Sequence, residues 1–185
     1  MTSKSHHAGE ALQWILVICV AVAVSLLVRA FVVEVYQVPS GSMLDTIQLG
    51  DRLVGEKVSI KLSEPTAGEV VTFEDPEKAG VTLIKRVIAV GGQTVDIQDG
   101  SVYVDGKRLD ESYVEGKRTD PLAQHSSTLS GPISYPYAVP AGYLWVMGDN
   151  RTNSLDSRYF GAVSSKAVSS HALCIFWPTA DAKAL

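Results

Sequence analysis

Cysteine, histidine and surplus basic charge are all scarce in this chain, and each shortage removes a class of function. The two cysteines are Cys19 and Cys174. One lies inside an apolar run and the other in a late apolar strand, so they cannot meet, and there is no disulfide framework or metal-ligand spacing. The four histidines, His6, His7, His125 and His171, are scattered. None stands in a setting that a His-dependent triad would use, and His171, opening the run HALCIFWP, reads as a strand-end residue. The formal charge is −4, from 16 Lys and Arg against 20 Asp and Glu, so no polybasic face calls for nucleic acid. Internal repeats and low-complexity tracts are missing. No metal and no cofactor is implied.

The hydrophobic fraction of 46% is ordinary, but its distribution is not. Residues 11–28, ALQWILVICVAVAVSLLV, have only Gln13 and Ser25 as polar side chains. Extending to Val33 adds one charge, Arg29, near the far end, where an arginine can snorkel to the interface. About 20 apolar residues span a bilayer as a helix, and Trp14 suits the headgroup level. A cleavable signal peptide has a shorter apolar core, of about 7–15 residues, and a core helix would show an amphipathic stripe. The leading reading is a transmembrane anchor over residues 11–33 behind a short cytoplasmic tail, 1–10. Lys4, His6 and His7 against Glu10 lean only slightly toward that orientation.

From residue 34 onward the pattern is short strands and turns. RLVGEKV (52–58), EVVTF (69–73), VTLIKRVIAV (81–90), TVDI (94–97), SVYV (101–104), YLWVM (143–147) and ALCIFW (172–177) are rich in β-branched and aromatic residues. Gly91-Gly92, Asp99-Gly100 and Asp105-Gly106 mark turns between them. This predicts a mostly β protein: one N-terminal transmembrane helix, then an all-β domain of packed antiparallel sheets over residues 34–185. The polar, proline-bearing segment 110–140 reads as a surface excursion.

Three stretches carry chemistry. In VPSGSMLDT, Ser40 and Ser42 flank Gly41 just after Pro39. Such a turn can present a serine beside a free backbone N–H, as acyl transfer requires; the competing reading is a plain serine-rich turn leaving the anchor. In the strand TLIKRVIAV, alternation puts Leu83, Lys85, Val87 and Ala89 on one face and Ile84, Arg86, Ile88 and Val90 on the other, so one of the two cations faces an apolar layer. A buried lysine can be neutral near neutral pH and take a serine proton, whereas arginine stays protonated. An edge-strand gatekeeper charge is the competing reading of Lys85. The loop GDNRTNSLDSRYFG holds Asp149, Ser154, Asp156 and Arg158; Asp156 and Arg158 can face each other as an ion pair, and Ser154 can orient the lysine.

Taken in order behind an apolar span, VPSGSM, GDRLVGEK, KRVIAVGGQTV and GDNRTNSLDSR closely resemble bacterial type I signal peptidase, in its short form with a single anchor. The resemblance implies a signal-peptidase-like catalytic domain outside the cytoplasm, held at the cell membrane, that removes signal peptides from exported preproteins after Ala-X-Ala-type sites. It assigns Ser42 as nucleophile and Lys85 as general base, with Ser40 and the Ser42 N–H as oxyanion hole. Ser154, Asp149, Asp156 and Arg158 become the supporting shell. Val38, Pro39, Met43, Leu83 and Ile84 become the lining of the substrate pockets. The implied partners are signal-peptide-bearing preproteins and the lipid bilayer, with no nucleic acid and no metal.

One position departs from that pattern. The family's block usually has a proline two residues after the methionine, where this chain has Asp45. The expectation is an Asx-type bond from Asp45 to the backbone in place of the proline's rigidity, with its carboxylate favouring the protonated form of Lys85. Two other readings compete. A soluble self-cleaving repressor shares the Ser/Lys chemistry but would not begin with a membrane span. An anchored β-domain that binds extended peptides without cutting is favoured only by Asp45.

Overall fold

The computed structural model describes residues 3–185. Residues 1 and 2 of the expected tail lie outside these, as do the side chains of Lys4, His6 and His7 that bear on orientation. Helix α1 (Ser3–Phe31) opens the chain. Within it Gln13–Phe31 is long and apolar enough to cross a membrane, and none of that window is buried against the rest of the chain. Among the described residues its side chains are left exposed, as on a helix whose apolar surface suits a lipid phase. The helix stops short of the expected Val33, which instead begins a strand.

Twelve strands follow: β1 (Val33–Gln37), β2 (Arg52–Glu56), β3 (Val70–Glu74), β4 (Thr82–Val90), β5 (Thr94–Gln98), β6 (Ser101–Val104), β7 (Lys107–Arg108), β8 (Tyr137–Ala138), β9 (Tyr143–Met147), β10 (Val163–Ser164), β11 (Val168–Trp177) and β12 (Lys183–Ala184). All seven runs that the β-branched pattern marks are among them. The additional ones are β1, directly behind the helix, and four two-residue strands too short to show alternation.

The larger sheet runs β1-β2-β11-β3-β4-β9-β10, with β12 pairing β11, and the smaller one β7-β6-β5-β8. Every ladder is antiparallel. Asp99 and Gly100, at φ 50° and 80°, form the tight β5–β6 turn, whose positive φ values suit glycine and aspartate.

Three buried clusters hold the sheets. Val71, Phe73, Val87, Leu144, Val146 and Phe160 form the first. Ile88, Ala89, Val95, Val102, Trp145 and Met147 form the second and pin the small sheet to β4 and β9. The third, Val38, Met43, Ile47, Leu53, Val70, Ala172 and Ile175, reaches under the serine-bearing turn. Fully burying side chains such as Ile47 and Leu53 stabilises by roughly 1.5–3 kcal/mol each.

Strand β4 departs from strict alternation. Its register against β9 shifts between Val87 and Ala89, as at a bulge. Val90 therefore packs with Leu83 and Val87, while Ala89 joins Ile88. Segment 110–140 is not purely a surface feature either: Thr119, Ser126, Val114 and Val139 are buried, and residues 112–114 form a 3₁₀ turn.

Candidate active site

The serine turn is fixed from beneath and behind. Met43 and Ile47 are buried, and the Ile47 N–H donates to the Met43 carbonyl at 2.8 Å. The Asn150 N–H donates to the Ser42 carbonyl at 3.1 Å, and Asn150 Nδ2 donates to the Gly41 carbonyl at 2.8 Å. With both carbonyls engaged on the loop side, the Ser42 N–H and the Ser40 hydroxyl have no hydrogen-bond partner among the described residues. Two unengaged donors beside a serine hydroxyl are what an oxyanion site needs.

Lys85 reaches this turn from the middle of β4. Its Nζ donates to Ser42 Oγ at 2.7 Å and to the Ile84 carbonyl at 3.1 Å, and the residue is buried. Burial pushes its pKa down to about 8, with Asp156, Asp149 and Asp75 opposing that shift. Close to neutral pH the amine can therefore lose its proton, and a neutral Nζ at this distance can accept one from Ser42.

Arg86, the neighbour of Lys85, is buried as well. Alternation alone puts one of the two cations in an apolar layer; both are enclosed because each has its own partner. Asp149 accepts from Arg86 Nε at 2.9 Å and Nη2 at 2.7 Å. It also accepts from Thr46 Oγ1 at 2.6 Å, so one carboxylate joins the strand of Lys85 to the turn of Ser42. Asp156 accepts from Arg158 Nε and Nη2, both at 2.9 Å, and from the Gly148 N–H at 3.0 Å.

Ser154 is the exception among the expected site residues. Its Oγ is buried and has no hydrogen-bond partner among the described residues, and Lys85 Nζ bonds to the Ile84 carbonyl instead. The hydroxyl is nonetheless close by. A Cβ added at Gly148 would lie 2.3 Å from Ser154 Oγ and 2.4 Å from the Ser42 carbonyl, so only glycine lets the two loops approach.

A cavity of about 370 Å³ opens beside the pair, lined by Val38, Pro39, Ser40, Met43, Leu83 and Ile84 together with Ser42 and Lys85. It thus contains all five of the residues expected to line a substrate pocket. Along its wall, β4 pairs β3 from Thr82 onward, but β9 takes up the opposite edge only from Arg86. Residues 82–85 keep that edge open toward the cavity.

Asp45 does not make the expected Asx-type bond. Its carboxylate lies 2.6 Å from Lys117 Nζ, whose hydrogen bond holds its pKa low, and the carboxylates acting on Lys85 are those of Asp156, Asp149 and Asp75. His171 stands away from the site, against Ser59 and Glu69. Nothing in the residue pattern marks out the roles of Arg86, Thr46, Asn150 and Gly148. Only the density of polar residues in 148–158 signals that the loop matters.

Residues 11–177 match the signal peptidase, peptidase S26 family. The chain is 40% identical over 166 residues to probable signal peptidase I-1 of Synechocystis sp., covering 86% of this chain and 79% of that protein. It is 36% identical over 176 residues to signal peptidase I of Bacillus licheniformis, covering 95% and 93%. A crystal structure of a signal peptidase I from Enterococcus faecalis V583 matches at 31% identity with a TM-score of 0.47, covering 59% of this chain and 97% of that one.

Proposed function

The chain belongs to the signal peptidase family, peptidase S26, and from that premise we propose that it is a membrane-anchored endopeptidase that uses Ser42 and Lys85 to cut exported preproteins after Ala-X-Ala-type sites. The observation that carries this reading is the 2.7 Å contact between Lys85 Nζ and Ser42 Oγ, made by an amine whose burial lowers its pKa to about 8.

In this scheme the signal peptide adds as an extended strand along the open edge of residues 82–85, where main-chain bonds supply affinity and alternate side chains enter the cavity. The shallow walls of Val38, Pro39, Met43, Leu83 and Ile84 restrict those side chains to small ones. Ser42 Oγ bonds to the scissile carbonyl carbon while its proton passes to neutral Nζ. The developing oxyanion is met by the Ser42 N–H and the Ser40 hydroxyl. Nζ then gives the proton to the leaving amine as the peptide bond breaks, leaving an acyl-enzyme on Ser42. Water, deprotonated by Lys85, attacks that ester; the ester bond breaks, Nζ passes the proton to Ser42 Oγ, and the signal peptide is released with a new carboxylate. Asp149, and Asp156 with Arg158, keep the two loops and β4 in place.

Gln13–Phe31 serves as the single anchor, with residues 1–10 in the cytoplasm and 34–185 on the outer side of the plasma membrane. Ser42 follows Phe31 by about eleven residues, which at ~3.3 Å each keeps it within ~36 Å of the helix end, where preproteins present their cleavage sites.

The test is cleavage of an Ala-X-Ala-containing preprotein by the detergent-solubilised chain. Wild type is expected to cut after the second alanine, and Ser42→Ala and Lys85→Ala to be inactive while still binding the substrate. Cleavage surviving in Ser42→Ala would overturn the assignment.

A further inference from the structure

Residues 111–119 touch both halves of the site from outside the catalytic sheet. Arg151, fully enclosed in the loop behind Ser42, donates to Thr119 Oγ1 at 2.9 Å and pairs with Glu111, itself nearly buried. The Tyr113 ring lies under the Arg86 guanidinium, 4.2 Å from Cζ to its centroid, and its hydroxyl donates to Glu111 at 3.1 Å. Lys117 Nζ meets Asp45, three residues after Ser42, at 2.6 Å. The far end is tied down in turn, since the Thr119 N–H donates to the Gly100 carbonyl at 2.9 Å.

The other contacts of the serine turn run through Met43 and Ile47 to the core, through Thr46 to Asp149, and through the Gly41 and Ser42 carbonyls to Asn150. Asp45 is exposed, and its carboxylate pairs with the Lys117 ammonium, while Glu115 of the same segment 111–119 also bears on it. An ion pair thus occupies the position where a proline would stiffen the backbone covalently.

We propose that residues 111–119 are a positioning strap, in which Lys117 holds the serine turn through Asp45 while Glu111, Tyr113 and Thr119 hold the loop and strand that carry Asp149 and Lys85. Lys117 is a positioning residue: it touches neither substrate nor reacting atoms, and it acts by keeping Ser42 within reach of Nζ. This inference rests on the peptidase reading for its catalytic consequence, but its structural part can be measured without turnover.

The buried Glu111 contact is a poor probe, because removing it strands a charged Arg151 and risks the fold. Lys117 and Asp45 are accessible enough to change. The variants are Lys117→Ala, Asp45→Ala and the exchanged pair Asp45→Lys with Lys117→Asp. For each, two quantities are measured: amide hydrogen exchange at Ile47 and Asn150, whose N–H groups bond to the Met43 and Ser42 carbonyls, and kcat and KM on the preprotein. In both alanine variants exchange is expected to accelerate, and kcat to fall, by up to about fivefold, the reach of an exposed ion pair. KM should stay in place, and the exchanged pair should restore both. Unchanged exchange in the two alanine variants, unchanged kcat despite faster exchange, or no restoration by the exchanged pair would each overturn the strap. If wild type fails to cleave while exchange responds as described, the peptidase reading falls and the strap stands. If wild type cleaves normally while exchange does not move, the strap falls and the peptidase reading stands.

Discussion

Asp149 grips Arg86 with both carboxylate oxygens, at 2.9 and 2.7 Å, and the two residues lie 63 positions apart in the chain. Because Arg86 follows Lys85 directly and Asp149 also accepts from Thr46, this pair sets the strand that carries Lys85 against the turn that carries Ser42. Nζ and Oγ then meet without help from a bond between Lys85 and Ser154.

Breaking that pair should be costly. In Asp149→Asn the buried guanidinium loses its counter-charge, and removing one partner of a buried ion pair typically costs about 3–5 kcal/mol. The expected outcome is a clear drop in the midpoint of urea unfolding, together with a loss of cleavage. A variant as stable as wild type would show that Arg86 is satisfied by the Gly68 carbonyl, to which it donates at 2.8 Å.

Activity should follow the protonation of Lys85. Its pKa is lowered to about 8; with the neutral amine as the proposed base, kcat/KM should fall about tenfold per pH unit below that value and level off above it. The sign for stability is the same. The unfolded chain keeps the lysine protonated to its ordinary pKa of about 10.4 while the folded chain releases the proton near 8, so stability rises with pH between these values. Lys85→Met should abolish this rise, which urea titrations at pH 7 and 10 would read.

Gly148→Ala tests the closeness of the two loops. The new methyl would meet the Ser42 carbonyl at 2.4 Å and Ser154 Oγ at 2.3 Å, and the first of these is backbone that cannot swing aside. If Ser42 acts as proposed, displacing it by about 1 Å can cost on the order of 10² in rate. The expected result is a loss of that order in kcat, and pairing it with Ser154→Gly should recover little, since the backbone clash remains.

Ser154→Ala separates positioning from folding. The hydroxyl is buried with no partner among the described residues, so removing it forfeits no hydrogen bond and relieves a desolvated polar group, a change worth about 1–3 kcal/mol at most in favour of the variant. The unfolding midpoint should hold or rise while kcat falls, because the hydroxyl packs at Gly148, where the loop meets the Ser42 carbonyl. Unchanged kcat would remove Ser154 from the machinery.

Much of this arrangement is legible in the residues themselves. The apolar run, the β-branched segments with their Gly turns, and the serine turn after Pro39 depend on local periodicity and local backbone preference, which neighbouring residues determine on their own. Asking which cation can lose its proton singles out Lys85 as a candidate base, and the resemblance of the four blocks to signal peptidase is what pairs it with Ser42. Other features are decided only by tertiary structure. Alternation along β4 cannot show that Arg86 is buried too, nor that the register shift after Val87 moves Val90 to the opposite face. Asp45 can be seen to replace a proline, but its tie to Lys117 spans 72 positions. The burial of a charge depends on whether a partner of opposite sign arrives from elsewhere, and arrival from a distant segment leaves no periodic trace in the sequence.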